Sequence, residues 1–565
     1  MRAARAGLVL LAAVSAVLSG CATIPTSGPI QQGPVVGAGA GDQIAQVIAR
    51  KPDPGMSPEQ IVRGFQEATA SADPRYDTAR LYLTPDAAST WRPDSGVAVY
   101  DETGLATSAK GSIVTQDGVL SATISDEGQY AVVAPPRRTT WNYTLAKNPS
   151  GEWRIAQLPQ GLLLGPGDIA RSYRSFDIFF FSRDLSTLVP TPVTLPVSTS
   201  AQATQLVQRL LLGPTPWIAP AVSTAFPQGT RLALGAVPVT DGVADVSLSS
   251  EVLNADDATR QKLSGQLVWT LRQVPEISSV RISVNGQPLA VSGVASPQPI
   301  NSWSLLDPDL LPPSATAYGV AAKGVVAFGA KELTPVGVTP RLRTPGVSLD
   351  STQIAGTSAD GRTLYVGRLA DGADAEKRYV GNDLSRPSWD RTGAVWVADR
   401  GTGLVQVRGD KETVVPVVGA PSGFRDREIS AVAVSRDGTR MAMLVHRGAL
   451  VEPWLARIER RGDAVTVSSP LRIDNQITAS LDLAWADATT LVVLATGSAA
   501  PELLDITVGS SLVRRQAAPD AAATSVAAAP GAGRVDLVAD RTSTWRQSGT
   551  GWARIEAVTD PVYPG

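Results

Sequence analysis

The sequence contains one cysteine and one histidine, and both shortages exclude common kinds of site. Disulfide bonds require pairs of cysteines, so an exported chain of this composition must be held together by burial alone. A catalytic triad or dyad needs a histidine beside its nucleophile, and a structural zinc site needs several Cys or His ligands. We therefore predict no catalytic residues, no metal site and no cofactor.

The chain also lacks an excess of charge of either sign. It has 50 basic and 52 acidic residues and a net charge of -2, so no positive field exists to attract a phosphate backbone. Nucleic acid is therefore not an expected partner. The 51 glycines and 42 prolines, with only 18% charged residues, indicate a turn-rich and mainly β protein. The length of 565 residues predicts about three to four folding units.

No apolar run approaches the length of about 20 residues that a membrane-spanning helix needs. The run at residues 7–17 is shorter, follows Arg2 and Arg5, and is followed by small residues, which is the layout of a secretory signal. We predict that residues 1–20 are a signal peptide, that it is removed, and that the rest of the chain lies outside the cytoplasm.

Leu18, Ser19, Gly20 and Cys21 come directly after this run. They resemble a bacterial lipobox, and the resemblance implies cleavage before Cys21, an S-diacylglycerol group on its thiol and an N-acyl group such as palmitate on its amino group. Each buried methylene contributes about 0.8 kcal/mol, so two or more acyl chains hold a protein stably on a bilayer. The alternatives are an ordinary signal peptide whose cysteine lies near the cleavage site by chance, and a free buried thiol. Residues 21–50, rich in Pro, Gly, Ser, Thr and Gln, are interpreted as a lipidated flexible tether.

The first unit, residues 51–165, is predicted to be an α+β domain. Ser57 can cap a helix that starts at Pro58, and Gln60 completes a capping box. A second short helix is expected at residues 78–83, ending before a proline, and alternating segments after it indicate an antiparallel sheet. The order of elements resembles the cone-shaped nuclear transport factor 2 class.

The second unit, residues 168–293, is predicted to be an α/β domain. Its landmarks are a strand at residues 177–181, a helix that stops at Gly213 and Pro214, a turn at residues 227–230 and an ending at residues 284–288. They resemble the GerMN domain, a small module of extracytoplasmic bacterial proteins, and the resemblance implies binding without catalytic residues. Residues 294–313 contain five prolines and no period, and are interpreted as an interdomain linker.

The third unit, residues 314–565, repeats one plan in which a tight turn precedes an apolar strand. The turns lie at residues 323–324, 360–361, 390–393, 437–438, 487 and 530–531. Spacings of about 30 to 50 residues are typical of the four-stranded blades of a β-propeller. We predict a propeller of about six blades. The whole protein is therefore expected to be multidomain and mainly β.

The predicted propeller contains aspartates and a histidine, which are residue types that a catalytic site could use. Asp360, Asp390 and Asp437 are interpreted as equivalent turn residues, and a residue repeated in several blades is more often structural than catalytic. His446 lies in an apolar, strand-like segment, where a structural role is favoured over that of a general base.

Tryptophans in the propeller invite a role in sugar stacking. Four of them fall in or beside predicted strands, namely Trp389, Trp396, Trp454 and Trp485. We favour packing between blades as their role.

The order of lipobox, tether, GerMN-like module and C-terminal propeller resembles the LpqB lipoproteins of actinobacteria. The resemblance implies a lipid-anchored protein on the extracytoplasmic face of the cell membrane. It also implies that the protein binds and modulates an MtrB-like two-component sensor kinase in envelope homeostasis and cell division. Two alternatives stay open: a peptidoglycan or envelope-glycan binding protein, and a hydrolase that uses propeller carboxylates.

Overall fold

The computed structural model describes residues 49–71, 75–197, 201–312, 315–329, 332–422, 424–425, 428–498, 500–520, 522–530, 535–549 and 551–565. The predicted signal peptide, the lipobox residues Leu18, Ser19, Gly20 and Cys21, and the tether up to residue 48 lie outside the described residues. Within the described ranges, no helix is both long and apolar enough to span a membrane. The fold of these residues is mainly β, as predicted.

The described residues of the N-terminal domain form three helices and one sheet. The helices are α1 Pro58–Thr69, α2 Asp77–Arg80 and α3 Pro85–Thr90. The strands are β1 Val97–Tyr100, β2 Ala106–Lys110, β3 Ile113–Ile124, β4 Tyr130–Lys147, β5 Trp153–Gln157 and β6 Leu162–Leu164. Their order is β5-β4-β3-β1-β6, with β2 also paired to β3, and only the β1 to β6 pair is parallel.

Helix α1 begins where the capping box predicts. The Ser57 hydroxyl accepts a hydrogen bond from the Gln60 amide at 3.3 Å, and the Gln60 side chain accepts one from the Ser57 amide at 2.8 Å. The second helix, predicted at residues 78–83, is shorter in the structure and ends before Pro85, as predicted. Pro85 starts a helix of its own, because the Thr84 hydroxyl caps it by accepting from the Ala87 amide at 3.3 Å.

Helix α4 Pro166–Ser172 connects the first two domains, and its Ile169 packs in the core of the first. The described residues of the second domain form two sheets and the helices α5 Gln202–Leu212 and α6 Asp257–Leu271, with short 3₁₀ segments at Ala219–Ala221, Ser250–Asn254 and Ser304–Leu306. The strands are β7 Tyr173–Ser182, β8 Leu188–Pro196, β9 Val222–Ser223, β10 Val239–Thr240, β11 Val243–Leu248, β12 Ser279–Val284, β13 Gln287–Pro288 and β14 Gln298–Pro299. The sheet orders are β8-β7-β9 and β10-β11-β12-β13, with β14 paired to β12.

Part of the stretch interpreted as a linker, residues 294–313, is built into this domain. Strand β14 pairs with β12, and the Trp303 indole N–H lies 3.1 Å from the Gln298 side-chain oxygen, to which it donates. The Trp269 indole on α6 in turn donates to the Trp303 carbonyl at 2.9 Å. A strand of two residues has no periodicity, so the sequence pattern could not reveal it.

The described residues of the third domain form six sheets, the blades of a propeller. The first blade holds β15 Tyr318–Ala321, β16 Gly324–Phe328, β17 Leu333–Val336 and β39 Val558–Val562. The second and third hold β18 Pro345–Val347, β19 Gln353–Thr357, β20 Thr363–Arg368, β21 Glu376–Val380, then β22 Ser388–Trp389, β23 Val395–Asp399, β24 Gly403–Arg408 and β25 Lys411–Val415. The fourth holds β26 Val417–Val418, β27 Ile429–Val434, β28 Arg440–Arg447, β29 Leu450–Arg461 and β30 Ala464–Arg472. The fifth and sixth hold β31 Ser480–Trp485, β32 Thr490–Thr496, β33 Pro501–Thr507, β34 Val513–Ala517, then β35 Ser525–Ala527, β36 Leu537–Ala539, β37 Ser543–Ser548 and β38 Gly551–Glu556.

The predicted propeller is therefore confirmed, and the ring is closed by its last strand. Strand β39 pairs antiparallel with β15, so the first blade combines residues from both ends of the domain. Strands β39, β18, β22, β27, β31 and β35 are the innermost of their blades and surround a central channel. Closure of this kind leaves the ring without a free sheet edge at its seam.

A buried arginine joins the second domain to the propeller. Arg440 is 1% exposed, forms an ion pair with Asp437 at 3.2 Å and donates to the Ala488 carbonyl at 3.2 Å. It also donates to the carbonyl of Pro190, which lies on β8 of the second domain. Arg391 makes a similar contact, donating to the Pro308 carbonyl at 3.1 Å.

Further hydrogen bonds from side chains to backbone carbonyls connect all three domains. The Trp217 indole donates to the Ser469 carbonyl at 3.0 Å, and Arg457 donates to the Trp217 carbonyl at 2.5 Å. The N-terminal domain meets the propeller where Asn475 donates to the Val133 carbonyl at 2.8 Å. Together these bonds fix the three described domains relative to one another.

Two carboxyl groups at the junction have raised pKa values. Burial raises the pKa of Asp309 to about 7, although the Ala488 amide and the Arg436 guanidinium oppose the shift. Burial raises the pKa of Asp177 to about 6, against the opposing effect of Arg440. Since the folded state favours the protonated forms, this contribution to stability is complete below about pH 4 and declines as the pH rises through 6 and 7.

We expect Asp309→Asn to raise the unfolding midpoint at about pH 8 and to change it little at about pH 4.5, because asparagine does not ionise. Thermal unfolding of the full chain, followed by circular dichroism across this pH range, measures the effect. Parallel curves of midpoint against pH for the two proteins would contradict the assignment.

Candidate functional site

The propeller carboxylates singled out in the sequence hold turns together. Asp390 accepts from the Thr392 amide at 2.8 Å and, through its other oxygen, from the Trp396 indole at 2.9 Å. Asp437 accepts from the Thr439 amide at 2.7 Å, and Asp360 accepts from the Arg362 amide at 3.1 Å. The predicted structural role is confirmed for all three.

The prediction that these three aspartates occupy equivalent turns is wrong for Asp360. Asp390 and Asp437 lie in the first turn of a blade, after its innermost strand, whereas Asp360 lies in the second turn of its blade. The residue that matches the other two is Asp350, which accepts from the Thr352 amide at 3.1 Å. The error arises because both turns of this blade use the same chemistry, in which an aspartate accepts from residues two positions on either side.

The tryptophans pack between blades, as predicted. The Trp389 indole on β22 donates to the Gly346 carbonyl on β18 at 2.9 Å, and the Trp485 indole on β31 donates to Ala433 on β27 at 3.0 Å. Each bond joins the innermost strands of neighbouring blades. The other two tryptophans are also buried, Trp396 against Asp390 and Trp454 edge-on to Phe424.

The central channel widens into a mouth of about 890 Å³ at one end. All six blades line this mouth, and their lining residues lie where the innermost strands begin. At the other end the channel narrows, and Gly565 donates to the Val347 carbonyl at 3.0 Å. The mouth is therefore the wide and accessible end of the channel.

The mouth faces away from the second domain. Arg391 and Arg440, which contact that domain, belong to the turns that follow the innermost strands β22 and β27. The mouth lies at the opposite ends of the same strands. None of the described residues that line the mouth belongs to the second domain.

Charged side chains surround the mouth. They are Arg341, Arg343, Arg386, Arg541, Asp482, Asp540 and Asp560. Two of the aspartates are engaged: Asp482 pairs with Arg386 at 3.0 Å, and Asp540 accepts from the Thr542 and Ser543 amides at 2.6 Å each. With those two carboxylates occupied, Asp560 is the remaining acidic group at the mouth, beside the three arginines Arg341, Arg343 and Arg541.

Three arginines at the mouth have no carboxylate partner among the described residues. Arg341 donates to the Ala321 carbonyl at 3.3 Å, and Arg343 to the Ala359 carbonyl at 3.5 Å, while Arg541 is exposed. Guanidinium groups held in this way at the rim of a cavity are suited to bind carboxylates or phosphates.

Polar atoms deeper in the mouth also lack partners within the described part of the chain. The Ser480 hydroxyl is buried without a hydrogen bond, and so is the Nε of Arg386. Burial raises the pKa of Asp482, while Arg386 and the Val526 amide oppose the shift. Unpartnered polar groups that line a cavity are what a hydrogen-bonding ligand would satisfy.

The sequence pointed to only part of this site. His446 does line the mouth, but the arginines were missed because they come from loops of different blades. One of these arginines could have been found from the sequence, because Arg541 directly follows Asp540, an aspartate that holds a turn.

The lipobox residues Leu18, Ser19, Gly20 and Cys21 lie outside the described residues. Among the residues that are described, no group of three or more His, Cys, Asp or Glu could hold a metal ion.

These features define a multidomain protein that ends in a six-bladed β-propeller with an open, charged mouth. Family models match all three domains: "Lipoprotein LpqB, N-terminal domain" at residues 51–170, "Sporulation and spore germination" at residues 177–290, and "Lipoprotein LpqB beta-propeller domain" at residues 329–564. The second domain is thus GerMN-like, as predicted. The likeness of the first domain to the nuclear transport factor 2 class is not confirmed and stays a prediction.

Relatives match along nearly the whole chain. It is 30% identical to Lipoprotein LpqB of Thermobifida fusca, with 99% of each chain covered, and 30% identical to Lipoprotein LpqB of Mycobacterium tuberculosis, with 87% of each covered. The chain belongs to the LpqB lipoprotein family. Membership is consistent with a membrane-associated protein.

Part of the chain is also similar to a solved structure. The first GerMN domain of the sporulation protein GerM from Bacillus subtilis is 22% identical, with 22% of this chain and 92% of that chain covered and a TM-score of 0.18.

The turn aspartates give a stability prediction. Burial opposes the ionisation of Asp390, but Arg460 at 2.8 Å and the donors of the turn hold the pKa of its carboxyl below the ordinary value. Asp390→Ala leaves Arg460 without its partner and should cost about 3–5 kcal/mol. The matched change Asp350→Ala, at an exposed aspartate in the equivalent turn, should cost much less. Denaturant unfolding of both variants measures the difference, and equal losses would contradict the role assigned to Asp390.

Proposed function

We propose that this protein is held on the outer face of the cell membrane by acyl chains on Cys21. We also propose that it binds the extracytoplasmic part of an MtrB-like sensor kinase through the mouth of its propeller, and so modulates signalling in envelope homeostasis and cell division. The role is one of binding and not of catalysis. Membership of the LpqB lipoprotein family supports the anchor, and the resemblance drawn from the sequence supplies the partner.

The observation that carries the binding proposal is the chemistry of the mouth. A cavity of about 890 Å³ is wide enough to admit an extended peptide segment or a loop. Arg341, Arg343 and Arg541 lack carboxylate partners among the described residues, so they favour a segment rich in Asp and Glu. An acidic segment of the kinase is therefore the expected occupant.

Anchoring makes modest affinity sufficient. Two proteins confined to one membrane surface meet at an effective concentration far above that of free diffusion, so weak contacts produce substantial occupancy. The junction around Arg440 supports this arrangement, because it keeps the mouth pointing away from the second domain.

Reversing charges at the mouth tests the binding proposal. We expect the double variant Arg343→Glu and Arg541→Glu to capture about tenfold less of the kinase's purified extracytoplasmic domain than the unmodified protein does, because acidic side chains repel an acidic segment. The matched control is Arg514→Glu, an exposed arginine on β34 in an outer strand of the fifth blade, which should bind normally. Pull-down assays at low and high salt measure both, and salt should weaken capture.

Equal capture by the double variant and the Arg514→Glu control would contradict binding at the mouth. Co-sedimentation of the same proteins with purified cell wall provides the second arm. Retention on cell wall without capture of the kinase domain would overturn the kinase proposal in favour of an envelope-glycan binding protein.

The anchor has its own test. We expect Cys21→Ala to move the protein from the membrane fraction to the medium, or to leave its precursor unprocessed, because no thiol remains to carry diacylglycerol. Fractionation of cells and the intact mass of the protein measure the change. A variant that stays in the membrane fraction with the mass of the processed, acylated protein would contradict the anchor.

A further inference from the structure

The N-terminal domain contains a cavity of about 310 Å³ that is partly open to solvent. Helix α1 covers it on one side, and strands β1, β3, β4 and β6 form the other walls. The pairing register shifts between Val99 and Tyr100 where β1 meets β3, and between Leu120 and Ala122 where β3 meets β4, and irregularities of this kind bend strands. A partly open cavity of this volume can admit a small molecule from solvent.

The walls of the cavity combine apolar and aromatic side chains with uncharged polar ones. The apolar and aromatic ones include Phe65, Val97, Ile124, Trp141, Leu162 and Leu163, and the polar ones include Gln66, Thr69, Thr123 and Gln160. None of the described residues that line the cavity is Asp, Glu, Lys, Arg or His. Moving an ion into such surroundings without a counter-charge is costly, so the cavity selects a neutral molecule.

Among the polar groups that line the cavity, the buried hydroxyl of Tyr143 is available for a hydrogen bond. Tyr143 is only 3% exposed and lines the cavity, yet its hydroxyl has no hydrogen-bond partner among the described residues. Burial raises the pKa of Tyr143 above its ordinary value, so the phenol stays protonated and can donate. Nearby, Gln66 is held in place by accepting from the Gln116 side chain at 2.8 Å.

We propose that the N-terminal domain binds a neutral, mainly apolar molecule in this cavity, with an oxygen of that molecule accepting a hydrogen bond from the Tyr143 hydroxyl. The volume lies at the lower end of the range of small-molecule sites, about 300–1,000 Å³. Two sources share this chemistry, the acyl chain of a neutral lipid and a small aromatic alcohol. The site is separate from the propeller mouth, so it does not depend on the proposed function.

Titration of the full chain with N-phenyl-1-naphthylamine, a neutral fluorophore that brightens in apolar surroundings, tests the site. We expect a saturable signal with one probe bound per chain. Ala98→Trp should weaken binding more than about tenfold, because Ala98 lines the cavity and an indole would fill it. The matched control is Ala106→Trp, which places the same side chain on the exposed face of β2 and should bind normally.

Displacement of the probe distinguishes the two candidate ligands, a lipid acyl chain and a small aromatic alcohol. Displacement by monodecanoylglycerol supports a lipid acyl chain, and displacement by 1-naphthol supports an aromatic alcohol. Tyr143→Phe keeps the packing, so it provides a test that does not rely on a larger side chain, and it should weaken either displacer about three- to tenfold. Absence of a saturable signal, equal binding by the Ala98→Trp and Ala106→Trp variants, or displacers unaffected by Tyr143→Phe would overturn the proposal.

Discussion

The arrangement of the described domains depends on the buried guanidinium of Arg440. Its side chain is 2% exposed and is neutralised by Asp437, whose side chain is fully buried. A buried charge is stable only if its partners stay in place, and here the partners include carbonyls of the next blade and of the second domain. Separating the second domain from the propeller would therefore leave a desolvated cation with an unsatisfied donor. This cost makes the junction rigid.

Rigidity at this junction gives the propeller mouth its direction. The second domain docks on the turns that follow the innermost strands, so the opposite face, with Arg343 and Arg541, stays accessible. In the proposed function the acyl chains at Cys21 confine the protein to the membrane surface, while the mouth remains available to a partner in the same membrane. Anchoring and binding are thus assigned to different parts of the chain.

Local chemistry made much of the fold predictable. The capping box at Ser57 depends on residues within three positions, and the propeller turns at Asp390 and Asp437 depend on residues within four, so the sequence displays both directly. The mouth was not predictable, because Arg343 and Arg541 become neighbours only when six blades close into a ring. The contact of Arg440 with Pro190 joins residues far apart in the chain and leaves no periodic signal. Asp360 was wrongly predicted to be equivalent to Asp390 and Asp437. Two successive turns of its blade use the same residue types, and only the order of the strands shows which turn comes first.

Site-specific photo-crosslinking in intact cells tests the central claim, that the mouth holds the kinase at the membrane surface. A photoreactive amino acid is placed at position 541, on the mouth, or at position 514, on an outer strand of the fifth blade. The account predicts a crosslinked adduct that contains the sensor kinase from position 541 and none from position 514. Kinase adducts from position 514 alone, or no kinase adduct from position 541, would contradict it.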